Sequence, residues 1–357
     1  MAMTETASQS ASAQAMHKTT GTARPLVAGL GPHGERPATH DQIALSPEIM
    51  NRARASAFRV TVVLHTIASD WAQRQIAGID AGLREAGAVV VDIVDCAYDA
   101  DVQVAAIERL VRQKPDAVIS IPVGSADVAD AFRTISAAGI KLILLDNAPS
   151  GLLPDIDYVS VISSDNFGLG QIAAELLSPH VPPGGSVCVV AYKIDFFATA
   201  QREIAFTKWM RRQRPDVTLS QLKFETPAQA GAVLSPYLDR HPDLDGLFVV
   251  WDEPAIAALR VVEHRSKRPV MTTVDLGRQI AAALADGYVV KGVAAQRPFQ
   301  QGSAAAAAAV AALAGNVVPP WIVVPGLAVT ADNLVRANEV VGGAPAFPDR
   351  MALASIS

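Results

Sequence analysis

The hydrophobic and polar positions of this chain repeat one pattern twice. Val60–Thr66 (VTVVLHT) is a short, nearly unbroken apolar run, and Val187–Lys193 (VCVVAYK) is its counterpart farther along. Each is followed by a loop with aromatic residues, Trp71 in the first case and Phe196–Phe197 in the second. Each loop then opens a segment whose apolar residues recur at the 3.6-residue period of a helix. Those segments read AQRQIA from Ala72 and AQREIA from Ala200. Further on, Pro115–Asp116 leads into AVISIPV, and Pro242–Asp243 leads into GLFVVW. Helical stretches over 126–138 and 254–265 come next, followed by KLILLD ending at Asp146 and PVMTTVD ending at Asp275. Landmarks in the same order at a nearly constant offset describe a duplicated βαβαβα unit.

Strands that alternate with helices predict an α/β protein with parallel sheets covered on both faces. Runs such as LILLD and GLFVVW suit central strands buried on both sides. Ligands of such sheets bind beyond the carboxyl ends of the strands, where loops and helix N-termini converge. In a duplicated chain two such edges face each other across a cleft, so the strand-end residues are the candidate site. The first half offers Ser69, Asp70 and Trp71, then Asp146 and Asn147. The second half offers Arg202, Trp251–Asp252 and Asp275, and Gln296 follows the apolar run Val289–Ala295. Carboxylates accept hydrogen bonds from two hydroxyls at once, a guanidinium donates to two oxygens, and an indole covers the C–H face of a sugar ring. This mix suits a neutral, polyhydroxylated ligand. Trp71 and Trp251, placed after strands of opposite halves, are expected to sandwich it.

The same residues have plainer readings. A strand-end Asp often caps the next helix, and Asp252-Glu253-Pro254 reads as a helix start. Arg74 is expected on a solvated helix face, and Trp209 and Trp321 are expected to pack rather than to line the site. Gly29-Leu-Gly-Pro-His-Gly34 fits G-x-G-x-x-G, but no strong strand precedes it and no helix opens after it, so the dinucleotide reading fails. It is read instead as a flexible lead.

The chain has 357 residues, enough for two lobes. Half of them are apolar and 18% charged, with a formal net charge of −5. That balance points to packed globular lobes and away from nucleic acid, whose backbone demands clustered Lys and Arg. No apolar stretch is long enough for a transmembrane helix, and the alanine-rich run Ala304–Ala314 reads as a tightly packed helix. Cys96 and Cys188 lie far apart with no metal-ligand spacing, so buried thiols are expected, and no metal or cofactor motif is present. Residues 1–24 read as a disordered lead, and no secretory signal is visible within the sequence.

With these residues laid out, the chain resembles the type I periplasmic substrate-binding proteins of ABC transporters, in the ribose-binding-like cluster. The resemblance covers roughly Phe58 to Val341. It rests on IASDW at 67–71, KPDAVISIPV at 114–123, GIKLILLDN at 139–147, SSDNFGLGQIAAELL at 163–177, AQREIAF at 200–206, HPDLDGLFVVWDEPA at 241–255, TTVDLG at 272–277 and KGVAAQRPFQQG at 291–302. It implies two Rossmann-like lobes joined by a three-segment hinge, with crossings near Ser163, Gln296–Arg297 and Gly326. The lobes would be 58–162 with 297–325, and 163–296 with 326–345, flanked by a lead over 1–57 and a tail over 346–357.

The resemblance also implies that Ser69, Trp71, Asp146, Asn147, Arg202, Trp251, Asp275 and Gln296 contact the ligand. Where that family often has Arg after the binding Asp, this chain has Asn147; where it often has Asn, this chain has Trp251. Both changes point away from a common pentose or hexose. The implied function is a non-enzymatic, monomeric receptor for a sugar, polyol or sugar acid, located in the periplasm and docking on ABC transporter permease subunits. The alternative is a cytoplasmic sensor related to the lac repressor core, without a DNA-binding domain.

Overall fold

The apolar runs do become strands buried on both faces. The computed structural model describes residues 29–342 except Ala44; the expected lead over 1–24 and tail over 346–357 lie outside these residues. Along the chain the strands are β1 (Ala38–Thr39), β2 (Arg59–Leu64), β3 (Val89–Asp95), β4 (Ala117–Ser120), β5 (Lys141–Leu145), β6 (Ser160–Ser164), β7 (Ser186–Tyr192), β8 (Thr218–Phe224), β9 (Gly246–Val249), β10 (Val270–Val274), β11 (Val290–Ala295), β12 (Trp321–Val324) and β13 (Leu327–Val329). The helices are α1 (Pro47–Ser56), α2 (Asp70–Glu85), α3 (Ala100–Gln113), α4 (Ala129–Ala137), α5 (Asn166–Leu177), α6 (Phe197–Gln213), α7 (Gln229–Arg240), α8 (Asp252–Val262), α9 (Arg278–Asp286), α10 (Pro298–Leu313) and α11 (Leu334–Gly342). None of these is long and apolar enough to cross a membrane.

The strands form two sheets, in the orders β1-β12-β6-β5-β4-β2-β3 and β13-β11-β10-β9-β7-β8. The runs β6-β5-β4-β2-β3 and β11-β10-β9-β7-β8 have the same internal order, which is the duplicated unit in three dimensions. The lobes differ at the edge. In the first, β12 adds parallel to β6; in the second, β13 adds antiparallel to β11. The chain passes between sheets three times, after Ser164, after Ala295 and after Val324.

The helix that follows each of the first two crossings packs on the opening helix of the lobe it enters. A Cβ on Gly302 of α10 would lie 2.1 Å from the carbonyl oxygen of Gln75 in α2, and one on Gly170 of α5 would lie 2.2 Å from that of Arg202 in α6. Glycine lets these backbones touch, and most of the alanines of α10 are buried.

Residues 36–57 are not a loose lead. Thr39 of β1 pairs in register with Val323 of β12. α1 starts with Pro47 after the Ser46 cap, whose hydroxyl oxygen accepts the Ile49 N–H. Ile43, Leu45, Ile49 and Met50 pack half-buried on the first lobe's core. The preceding glycine-rich turn is seated too, with the Gly31 backbone against the Trp321 ring. Punctuation by Gly and Pro hid this segment from a periodicity reading, because its apolar side chains serve a core supplied by distant strands.

Candidate ligand-binding cleft

The duplicated aspartates hold the same backbone position. Asp146 follows β5 with φ 57° and Asp275 follows β10 with φ 73°, both in the left-handed region. Asp tolerates that region better than most residues, because its short polar side chain bonds locally. Holding it there still costs on the order of 1–3 kcal/mol, so the surroundings must fix it. The Asp146 Oδ1 accepts hydrogen bonds from Ser163 Oγ (2.8 Å), Gln301 Nε2 (2.9 Å) and the Ser164 N–H (3.4 Å). The Asp275 Oδ1 accepts from Gln296 Nε2 at 2.8 Å, and its Oδ2 lies 3.8 Å from Arg202 Nη1.

These groups belong to one network. Arg202 Nε donates to Asn166 Oδ1 (2.7 Å) and Nη1 to the Val250 carbonyl (3.0 Å). Asn166 Nδ2 donates to Ser163 Oγ (3.0 Å) and to the Ser164 carbonyl (3.1 Å). The line therefore runs from Gln301 through Asp146, Ser163, Asn166, Arg202 and Asp275 to Gln296, joining both sheets beside two of the crossings. All seven side chains are buried, so each bond works in a low dielectric and each missing partner is costly. Burial raises the Asp146 carboxyl above its ordinary range, partly opposed by Ser163, Arg202 and Gln301. Burial also raises Asp275 to about 6 against the pull of Arg202 and Gln296. Asp252 lies well above the carboxylate range because it is buried and faces Asp275.

The other expected site residues are placed less directly. Ser69 is the N-cap of α2, its hydroxyl oxygen accepting the Ala72 N–H at 3.1 Å. Asn147 is buried, with Nδ2 donating to the Gly124 carbonyl at 2.9 Å. Trp251 packs on rings of its own lobe, 5.1 Å from both Tyr192 and Phe224. Trp71 meets His65 edge-on at 6.0 Å and lines a small pocket with Asp275 and Gln296. Trp251 does not line that pocket.

Arg74 was misjudged from sequence, and Asp252 does more than its sequence reading gave it. Arg74 is not on a solvated face: it is half-buried, lines the same pocket, and donates from Nη1 to the Leu276 carbonyl of the other lobe at 3.0 Å. Asp252 does start α8, but it is buried and accepts the Gly277 N–H at 3.1 Å, directly behind Asp275. Its place after Trp251 at a strand end was the available signal. Nothing in the local pattern marks Asn166 or Gln301, whose roles depend on where the crossings bring them.

The lobes are closed on each other. Asp70 accepts from Arg278 Nε (3.2 Å) and from its N–H (3.0 Å), and Tyr98 donates to Glu253 at 3.4 Å. The pocket beside Trp71 measures about 10 Å³, roughly the room for one water. A sugar-sized ligand can enter only if the lobes part. Away from the cleft, Cys96 and Cys188 are free, buried thiols pushed up to about 11 by burial, so neither is an activated nucleophile.

Comparison with known proteins agrees with this geometry. Residues 60–316 match the family model of the periplasmic binding protein domain. A ribose import binding protein of Bacillus subtilis is 26% identical over 249 residues, covering 70% of this chain and 79% of the relative. An ABC transporter solute binding protein from Agrobacterium vitis, solved with α-D-tagatopyranose, superposes with a TM-score of 0.72 at 23% identity, covering 78% of this chain and 96% of that one. One from Mycobacterium smegmatis, solved with glycerol, gives 0.71 at 20% identity, covering 82% and 100%.

Proposed function

We propose, for a chain that belongs to the periplasmic binding protein domain family, that it is the substrate-binding receptor of an ABC importer and closes its lobes around a sugar, polyol or sugar acid. The observation that carries this reading is the buried polar line from Gln301 to Gln296, which takes groups from both lobes. A ligand bonded to Asp146 on one side and to Arg202 and Asp275 on the other favours the closed state by touching both halves at once. Trp71 and Gln296 complete the contacts, while Ser69, Asn147 and Trp251 shape the wall behind them. The relatives' names, a ribose import protein and solute binding proteins solved with tagatose and glycerol, fit a polyhydroxylated ligand.

In this reading the protein works in the periplasm as a monomer, and its closed face docks on permease subunits. It releases its ligand chemically unchanged. The test is a thermal-shift panel of D-ribose, D-allose, D-tagatose, allitol and D-ribonate, since a ligand of the native state raises Tm. A binder is then carried into small-angle scattering. The expected result is a smaller average radius of gyration with ligand than without. A panel with no binder, or a binder that leaves the radius unchanged, would refute the cleft-closure reading.

A further inference from the structure

The three crossings are not the whole of the connection between the lobes, because the turn that precedes β1 touches both. At one end of it the Gly29 N–H donates to Asp165 Oδ1 at 3.1 Å. Asp165 opens the first crossing, between β6 and α5. Its side chain caps α5 by accepting the Gly168 N–H at 2.9 Å, and its own N–H donates to the Val324 carbonyl at the third crossing, at 3.1 Å. At the other end the turn is fastened to the first lobe. The Gly31 N–H donates to the Glu35 carbonyl (3.0 Å) and the Gly34 N–H to the Gly31 carbonyl (2.9 Å), which closes the turn on itself. A Cβ on Gly31 would lie 3.0 Å from the Trp321 ring, and the chain then enters β1 beside β12.

Between these ends the turn fills the seam between the lobes. Gly29 and Leu30 line a gap of about 10 Å³ together with Phe167 and Phe197 of the second lobe and Trp321 and Val323 of the first. That leaves room for no more than one water. Phe197 stands edge-on to Trp321 at 6.0 Å. A hinge works by letting a few residues at its crossings change φ and ψ. A segment bonded to one crossing and packed on side chains of both lobes must slide or detach when the lobes rotate. Drawing Phe197 away from Trp321 also returns apolar surface to water. The turn precedes residues 60–316, which match the family model, so that likeness assigns it no role. We infer that the turn 29–35 is a strap across the hinge, which restrains how far the lobes part and holds the unliganded protein nearer to its closed form. A ligand that binds the closed form then loses less affinity to an open population. The inference rests on the lobes parting to admit a ligand and adds what limits that motion.

The test measures the distance between the lobes directly, on the full chain and without ligand. Nitroxide labels go on Ala105→Cys in α3 and Ala232→Cys in α7, exposed positions on the corresponding helices of the two lobes; the native cysteines are buried. The strap is then released at either end. Gly29→Pro removes the N–H given to Asp165, and Gly31→Leu drives a side chain onto the Trp321 ring and the Glu35 carboxylate. In pulsed electron paramagnetic resonance, each variant is expected to show longer label separations than the unmodified background. Saturation with the best binder of the panel above should bring all three proteins to one short separation. Calorimetry should show affinity falling roughly threefold to tenfold in both variants, the scale of one lost hydrogen bond. Should Gly31→Leu fail to fold, Gly29→Pro, which leaves the Trp321 contact in place, decides alone. Separations identical to the unmodified background would overturn the strap, whatever the panel shows. A panel without a binder would instead strike the sugar reading, and the ligand-free separations would still decide for or against the strap.

Discussion

The two lobes share a sheet order and a left-handed Asp at the same strand end, yet they treat that Asp differently. In the first lobe Asp146 is held by neutral partners, Ser163, Gln301 and a backbone N–H. In the second, Asp275 faces a guanidinium, with a second buried carboxylate, Asp252, behind it. The aromatic walls differ too. The first lobe groups Trp71 and Tyr98 around His65, and the second packs Tyr192, Phe224 and Trp251 together. Duplication has kept the backbone geometry, which the sheet dictates, and has let the partners of each strand-end group diverge. Charge compensation is therefore concentrated in the second lobe.

The sharpest way to break this asymmetry is to remove its one buried guanidinium. Arg202→Ala strands Asp275, the Asn166 carboxamide oxygen and the Val250 carbonyl together. Breaking a buried pair from one side costs about 3–5 kcal/mol, so a large drop in denaturant midpoint is expected along with loss of binding. The sequence marks Arg202 as a cleft residue; the structure makes it a structural tie as well. Gln301→Ala, its first-lobe counterpart, removes only a neutral donor and should cost about 1–3 kcal/mol. Equal losses from the two variants would erase the proposed difference between the lobes.

A second comparison tests what the lobes have in common. Gly302→Ala and Gly170→Ala each drive a methyl onto a backbone carbonyl of the facing helix. Overpacking of this kind costs about 1–3 kcal/mol, and chemical denaturation should show losses of similar size. A cost from one and none from the other would mean that the two helix contacts are not equivalent.

The third prediction uses pH. Asp275 is raised to about 6, so between the ordinary carboxylate range and pH 6 the folded protein binds a proton that the unfolded chain does not. Its contribution to stability falls as pH rises through that window. His65 in the first lobe runs the other way: burial lowers it to about 4, so its contribution rises with pH from about 4 to 6.5. The charged groups facing Asp275 are Arg202, Arg74, Asp146, Asp252 and Glu253. In Asp275→Asn the His65 effect loses one of its opponents, and Tm should climb more steeply from pH 5 to 7 than in the unmodified protein. An unchanged slope would mean that Asp275 does not titrate in this range.

The smallest effect is expected at the rim. Asp70, half-buried, and Arg278, largely exposed, bridge the lobes at the rim, where such pairs contribute about 0–1 kcal/mol and are screened by salt. Asp70→Asn should weaken ligand affinity a few-fold at low salt and hardly at all at high salt. A large, salt-independent loss would place Asp70 in the ligand site.

The sequence by itself determined the repeated unit, the parallel α/β lobes and the strand-end positions of Asp146 and Asp275, because strand burial and helix periodicity are local and were written twice. Only the tertiary structure decided that residues 36–57 complete the first lobe, that Arg74 reaches across the cleft, and that Asn166 and Gln301 belong to the polar line. It likewise set Trp251 among rings of its own lobe. Each of these depends on which distant elements the three crossings bring together. That is a matter of packing between segments tens to hundreds of residues apart, and no local spacing of apolar and polar positions encodes it.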